Sequence, residues 1–157
     1  MKSTIIMLIA LTAITALGGM SQAVDFEITG EVEESIEVTA PTSPDLTFTP
    51  GAGSWQSAGN IGLSTNSDSW SIKLLSDKAK MTNKLGTTDT LSGAMRASAS
   101  SSGTSPITLG TSEATLTSGS AASTTPIALY LNQTIAWTDK PHDDYSMNIT
   151  ITGSVTT

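Results

Sequence analysis

The chain contains no cysteine, a single histidine and few aromatic or basic residues among its 157 positions. Without cysteine it has no disulfide, no thiolate zinc site, no cysteine nucleophile and no lipid-modified cysteine. Aromatic residues make up only 4% of the chain, and 7 basic residues stand against 14 acidic ones, which gives a formal charge of -7. Because phosphate binding needs a basic surface, this charge argues against a nucleic-acid partner.

The sequence also lacks the residue patterns of common enzymes. A serine hydrolase needs a general base, and His142 is the only histidine, while neither a G-x-S-x-G turn nor an S-x-x-K pair occurs. Glycosidases need two carboxylates in a cleft, one of them with a raised pKa. The acidic residues here lie mostly between the apolar positions of alternating segments, as on the solvated face of a strand. We therefore expect a non-catalytic protein with no cofactor.

The first 23 residues have the organisation of a secretory signal peptide. Met1-Lys2 provides a positive start, Ile5 to Leu17 is an apolar run, and Ser21-Gln22-Ala23 has small residues at the positions that signal peptidase reads. The run is shorter than the ~20 residues of a spanning helix. We predict cleavage after Ala23, a secreted or cell-surface location, and no membrane span in the mature chain.

Most of the remaining sequence, residues 24–157, alternates between apolar and polar residues. Serine and threonine together account for 49 residues, a composition typical of sheet surfaces and turns. Period two is the pattern of strands with one buried and one solvated face. About eight or nine short strands separated by turns predict one all-β domain, an antiparallel β-sandwich of immunoglobulin-like, Greek-key type.

Individual segments give more specific expectations. We predict a first strand over residues 24–40 with a bend at Gly30, and Trp70, Ile72 and Leu74 on one face of a later strand. We also expect loops at 97–105 and 118–125 on either side of a hairpin, and either irregular structure or a short helix near 89–95. The clearest alternation lies in the last third, at Ile127, Leu129 and Leu131, and then at Tyr145, Met147, Ile149 and Ile151.

Four residues in one turn are candidate metal ligands. Asp139, His142, Asp143 and Asp144 place three carboxylates and an imidazole within six residues. Carboxylate oxygens suit calcium, and a low-specificity calcium site is one interpretation. The other is an acidic hairpin turn, because Asp and Pro favour turns for conformational reasons alone.

The three tryptophans differ in their surroundings. Trp70 and Trp137 share strand faces with aliphatic residues, which indicates core packing. Trp55 lies in a Gly- and Ser-rich loop and is the candidate contact residue for a ligand.

Two asparagines lie in glycosylation sequons. Asn132 and Asn148 each begin an Asn-x-Thr triplet, and alternation places both opposite the apolar face. An outward side chain would permit modification, but a Thr- and Asn-rich chain also produces sequons by chance.

The acidic first strand allows two roles. It can pair within its own chain, or, with its end freed by cleavage, it can complete the sheet of a neighbouring copy, as in fibres built by strand addition. Six acidic and no basic residues lie between positions 25 and 37.

Two short motifs resemble those of the WxL-type surface proteins of bacteria. The early motif corresponds to Trp70-Ser71-Ile72, and the late one to the segment from Tyr145 to Gly153. The resemblance covers roughly residues 46–157 and implies an exported β-sandwich and peptidoglycan binding. Ile72 stands in place of Leu, Ile151 in place of the second Trp, and Gly153 in place of the final Leu. These departures bear on the implied binding more than on the implied fold.

We expect a secreted, non-catalytic protein with a structural or adhesive role at the cell surface or in the extracellular matrix. Two alternatives stay open: a module that binds cell-wall or other polysaccharide, and a fibre subunit joined by exchange of the first strand. The corresponding partners are a cell-wall polymer, other surface proteins, or further copies of the chain.

Overall fold

A computed structural model describes residues 27–42, 45–84 and 89–156. The predicted signal peptide and the first three residues of the predicted first strand lie outside these ranges. Contacts divide the chain into two units, Met1–Glu31 and Val32–Thr157. In the first unit, the described residues 27–31 are exposed and form no strand. The strands and the buried core belong to the second unit.

The described part of the chain is all-β, with ten strands and no helix, and therefore with no helix that could cross a membrane. The strands are β1 (Ile36–Thr39), β2 (Gln56–Thr65), β3 (Trp70–Ser76), β4 (Thr82–Asn83), β5 (Arg96–Ser98), β6 (Ile107–Thr108), β7 (Ala114–Gly119), β8 (Ile127–Asn132), β9 (Tyr145–Ser146) and β10 (Ile149–Val155). The count exceeds the predicted eight or nine because three strands are only two residues long.

All strand pairs are antiparallel, as expected, and they form three sheets. The largest has the order β1-β2-β8-β5-β6, the second β10-β3-β7, and the third pairs β4 with β9. In the second sheet, β3 pairs along its whole length with β10, from Ile149 opposite Ser76 to Val155 opposite Trp70.

The buried positions follow the alternation of the sequence. On β3, Trp70, Ile72 and Leu74 are buried and their neighbours are half-buried. On β2 the buried positions change from even to odd numbers between Ala58 and Ile61. At this point the register with β8 is irregular, and Gly59 has a φ of 97°. Only glycine adopts this φ readily, so it allows a bulge at that point.

Side chains from the two larger sheets form one hydrophobic cluster. Burying one Leu or Ile side chain contributes about 1.5–3 kcal/mol, so this cluster is the main source of stability in a chain without disulfides. Its buried members are Ala58, Ile61, Leu63, Trp70, Ile72, Leu74, Met95, Ala97, Leu109, Leu116, Leu129 and Leu131.

The predicted first strand is wrong over most of its described length. Only Ile36–Thr39 pair with β2, and residues 27–35 form no strand. The reason lies in the partner, because Ile36 faces Thr65, the last residue of β2. Beyond that point β2 offers nothing to pair with, and the chain turns towards β3.

Two smaller predictions also fail, and a third is confirmed in its irregular form. The segments at 107–109 and 114–116 do not form a hairpin, because β6 pairs with β5 and β7 pairs with β3. The expected loop at 97–105 begins inside β5. The optional helix at 89–95 is absent, and the irregular alternative is correct, with one isolated bridge between Thr82 and Thr90.

Candidate functional site

An open cleft of about 830 Å³ lies between the segment at 45–50 and the turn at 139–145. Its floor is apolar, with half-buried Leu46 and Phe48 packed against the core. Its rim is polar. The rim residues are Asp139, Lys140, His142, Asp143 and Tyr145.

Asp139 fastens the rim turn to the loop before β5. Its carboxylate accepts hydrogen bonds from the Ser92 N–H at 2.9 Å, the Ser92 hydroxyl at 3.1 Å and the Ala136 N–H at 2.8 Å. Partial burial raises the pKa of Asp139, but the N–H groups of Ala136 and Ser92 stabilise the charged form, and the net pKa is lowered. The side chain is therefore a structural acceptor for two segments.

Asp89 holds the other end of the turn. One of its oxygens lies 2.9 Å from the Lys140 Nζ, and the other lies 3.0 Å from the His142 Nε2. The hydrogen bond and the negative charge of Asp89 raise the pKa of Lys140. The His142 ring meets Tyr145 edge-on, with centroids 5.4 Å apart.

Tyr145 closes the turn on itself. Its hydroxyl donates to the Lys140 carbonyl at 3.1 Å. Burial, followed by the negative charges of Asp89 and Asp139, raises the pKa of this hydroxyl, so it stays a neutral donor. The rim is thus a fixed loop cluster in which charged groups bind other parts of the same chain.

The structure does not bring the three candidate calcium ligands together. Asp139 binds Ser92 and Ala136, whereas Asp144 accepts a hydrogen bond from the Lys84 N–H at 2.8 Å. Asp143 is exposed at the cleft. Among the described residues, no three carboxylate or imidazole groups gather in a way that could hold a metal ion. The turn is an acidic loop cross-linked to other segments by hydrogen bonds.

Trp55, the predicted contact residue, is half-buried. Its indole lies over the backbone of Gly103, where φ is 70° and a side chain would overlap the ring. The Arg96 guanidinium carbon lies 5.7 Å from the ring centroid, within the range of a cation–π contact. This packing joins the Gly- and Ser-rich loops, and it leaves part of the indole open to solvent.

Trp137 is exposed over 85% of its surface, so its predicted place in the core is wrong. It lies in a turn closed by a hydrogen bond from the Asp139 N–H to the Ala136 carbonyl at 3.0 Å. Just before this turn, the Gly51 N–H donates to the Ile135 carbonyl at 2.8 Å. Trp137 is therefore an exposed indole on a backbone fixed from both sides. Trp70, by contrast, is buried as predicted.

The two sequon asparagines have opposite environments. Asn132 is buried and its amide donates to the Gly53 carbonyl, so the predicted outward orientation is wrong for this residue. It ends β8 beside Gln133, which is fully buried and donates to the Gly93 carbonyl at 3.0 Å. Asn148 is exposed, as predicted, and its amide donates to Asp77 at 3.1 Å.

The sequence did not predict the role of Asp89 in the rim turn or the exposure of Trp137 beside it. No pattern in the sequence indicates the contacts of Asp89, because its partners Lys140 and His142 follow it by about fifty residues. The exposed position of Trp137 could have been predicted from Thr138-Asp139, which follows it and favours a turn. No known protein family, curated protein sequence or solved structure gives a significant match to the chain.

Proposed function

We propose that the chain is an exported, non-catalytic protein with a structural or adhesive role at the cell surface or in the extracellular matrix. The observation that carries this proposal is the exposed indole of Trp137 on its fixed turn. Tryptophan combines a large apolar surface with low conformational freedom, and it is enriched at binding hot spots. A fixed, exposed indole suits stacking on the faces of sugar rings or packing against a surface protein.

The use of the acidic side chains supports the same role. Asp77, Asp139 and Asp144 each accept hydrogen bonds from backbone N–H groups of another segment. Carboxylates engaged in this way hold loops in place, which a contact surface requires. We further propose that the two larger sheets face each other as an immunoglobulin-like β-sandwich, a proposal supported by the hydrophobic cluster that they share.

The likeness to WxL-type surface proteins points in the same direction. The early motif lies on β3, and the second half of the late motif, from Ile149, lies on the paired strand β10, where Ile72 is opposite Gly153. The start of the late motif at Tyr145 belongs to β9 in the third sheet. Trp70 and Ile72 are in the core. We propose an architectural relation to these proteins and leave the cell-wall polymer as the first ligand class to test.

A retention assay on insoluble cell-wall polysaccharide tests the adhesive role. We expect Trp137→Ala to reduce retention about tenfold or more, as at a binding hot spot. Trp55→Ala is the matched tryptophan variant, and we expect it to retain most of the binding. Equal and negligible retention of the wild type and both variants would refute the polysaccharide ligand. A loss of retention confined to Trp55→Ala would show that the contact site lies in the Gly- and Ser-rich loop of Trp55.

A second candidate function is a fibre subunit joined by its first segment. The specific observation is that Ile28 and Val32 are 78% and 86% exposed, outside any strand. In an extended segment these two side chains lie on one face, and a contiguous exposed apolar surface is the feature that marks a partner site. Light scattering of the purified protein over a concentration series tests this candidate, and a constant monomer mass would exclude it.

A further inference from the structure

One strand edge of the fold is long and open. β7 is an outer strand of its sheet, and no hydrogen bond from another described residue joins its backbone on the side away from β3. Its six residues, Ala114 to Gly119, include no charge and no proline. Natural edge strands usually carry such residues, because unpaired N–H and C=O groups recruit further strands.

The other edges in the described chain are less accessible or shorter. On the far side of the same sheet, β10 is flanked by β1, whose Ile36 and Val38 side chains lie against Gly153. In the larger sheet, the outer strands β1 and β6 have only four and two residues. β7 is therefore the described edge best suited to accept a strand.

A segment of suitable pattern exists in the same sequence. Residues 27–35 form no strand, and the stretch 27–32 within them is long enough to cover the six residues of β7, about 20 Å. If the segment is extended, Ile28 and Val32 lie on one face, while Glu27 and Glu31 lie on the other. On β7, Leu116 is buried and Thr115 is exposed, so an added strand in phase places its aliphatic residues beside the core and its carboxylates in solvent.

We propose that residues 27–32 of one copy add as a strand along the outer edge of β7 in a second copy. Main-chain hydrogen bonds supply the affinity, and the match between the aliphatic face and the core side of β7 sets the register. Since each copy offers one segment and one edge, the contact is head-to-tail and leads to chains of copies. This proposal rests on the fibre-subunit function above and names its acceptor.

A charge test separates the acceptor from other surfaces. The pairing with β3 is irregular at Leu116, so Thr115 and Ser118 lie on the solvent side, opposite Lys73 and Ser71, whereas Thr117 lies opposite buried Ile72. Thr115→Glu with Ser118→Glu therefore places carboxylates on the same face as Glu27 and Glu31 of the incoming strand, and like charges across a strand pair are unfavourable. At low ionic strength we expect the apparent dissociation constant of self-association, measured by light scattering, to rise about tenfold. Thr150→Glu is the control, because it adds a carboxylate at an exposed threonine of β10 in the same sheet.

A charge reversal in the donor segment completes the test. Adding Glu27→Lys and Glu31→Lys to the β7 variant turns repulsion into attraction, and we expect association to recover to the wild-type level. Recovery also shows that the β7 variant is folded. The second donor variant, Ile28→Asp with Val32→Asp, removes the aliphatic face, and we expect monomers.

The outcomes distinguish the two levels of the proposal. If the wild type stays monomeric at every concentration, both the fibre function and the β7 acceptor are wrong. If the wild type and the variant with Ile28→Asp and Val32→Asp self-associate equally strongly, strand exchange is wrong. If the donor variant is monomeric while the β7 glutamates act no more strongly than Thr150→Glu, strand exchange stands and the acceptor lies elsewhere.

Discussion

Gly119 lies opposite Trp70 in the pairing of β3 with β7, and the indole ring covers the glycine. A methyl group at position 119 would overlap the ring, with the Trp70 Nε1 only 2.8 Å away. The ring is held in place because this Nε1 donates to the Ala121 carbonyl at 2.8 Å. The glycine thus determines how closely the buried tryptophan can approach the sheet.

Gly119→Ala should therefore lower the free energy of unfolding by about 1–3 kcal/mol, as is usual when a packed site is overfilled. Urea denaturation of the purified protein measures this change. Gly110→Ala is the matched control, because nothing lies within 4 Å of a methyl group there. Its stability should change by no more than about 0.5 kcal/mol. Equal stability of the two variants would contradict the packing of Trp70 on Gly119.

Asp139 gives a pH-dependent contribution whose sign follows from its lowered pKa. A carboxyl group with a lower pKa in the folded state stabilises the fold above its unfolded value of 3.8, and loses this effect as the pH falls through the folded value. We expect Asp139→Asn to reduce stability by about 1 kcal/mol at neutral pH, after allowance for solvent exposure. The difference from the wild type should shrink below pH 3.8.

Chemical denaturation between pH 2 and 7 measures this difference. Asp143→Asn is the control, since Asp143 is an exposed aspartate in the same turn. A gap between the wild type and Asp139→Asn that stays constant down to pH 2 would show that the carboxylate charge does not hold the turn.

The environment of a residue can be predicted from the sequence where its neighbours along the chain determine it. Trp70, with Ile72 and Leu74 in phase, is buried as predicted. Trp137 has the same local pattern with Ile135, yet it is exposed. The difference arises from the hydrogen bonds between Asp139 and Ser92, which are 47 positions apart and turn the chain at this point. Such a contact has no periodic signal in the sequence.

At the scale of elements, the entry of the chain into β1 depends on Asn66. Its Oδ1 accepts a hydrogen bond from the Ser35 N–H at 2.7 Å, and its Nδ2 donates to the Glu33 carbonyl at 2.9 Å. The turn between β2 and β3 thereby holds the residues just before β1. This side-chain clamp replaces the strand pairing that ends at Thr65.

Asn66→Ala should release this segment without unfolding the sheets. We expect amide exchange at Ser35 to accelerate about tenfold, which corresponds to losing roughly one net hydrogen bond. Hydrogen exchange followed by mass spectrometry or NMR measures the rate. Asn60→Ala, at an exposed asparagine within β2, is the control and should leave the Ser35 rate unchanged. An unchanged rate in Asn66→Ala as well would show that the clamp does not restrain the chain.

The elements that the sequence predicts best are those with uninterrupted alternation, namely β3, β8 and β10. Alternation fixes which face is buried, because the side-chain period of a strand is two. It does not fix the partner, so the hairpin predicted from neighbouring segments proved to be two strands in different sheets. The strand β5 was missed because Ala97 and Ser98 are buried through tight packing and carry no hydrophobic signal.

At the scale of the whole molecule, one core joins the two larger sheets. Ile72 of β3 and Leu129 of β8 belong to different sheets and to the same buried cluster. If that cluster is a single cooperative unit, damage on either side must weaken the whole domain. This requirement also bears on the proposed sandwich, in which the two sheets cannot unfold separately.

Ile72→Ala and Leu129→Ala should each destabilise the protein by about 2–5 kcal/mol and shift the same unfolding transition. Scanning calorimetry measures the transitions, with Thr150→Ala on the exposed face of β10 as a control that should shift little. Two separate transitions, each sensitive to only one of the core variants, would contradict a shared core and the sandwich built on it.

The central claim is that the protein acts by contact through an exposed surface residue, and quenching of tryptophan fluorescence tests it most directly. Trp137 is exposed, Trp55 is half-buried and Trp70 is buried, so acrylamide should quench mainly Trp137. We expect cell-wall polysaccharide to reduce quenching in the wild type, and to have no such effect in Trp137→Phe. Quenching that is unchanged by the polysaccharide, or equally reduced in both proteins, would contradict a contact made by Trp137.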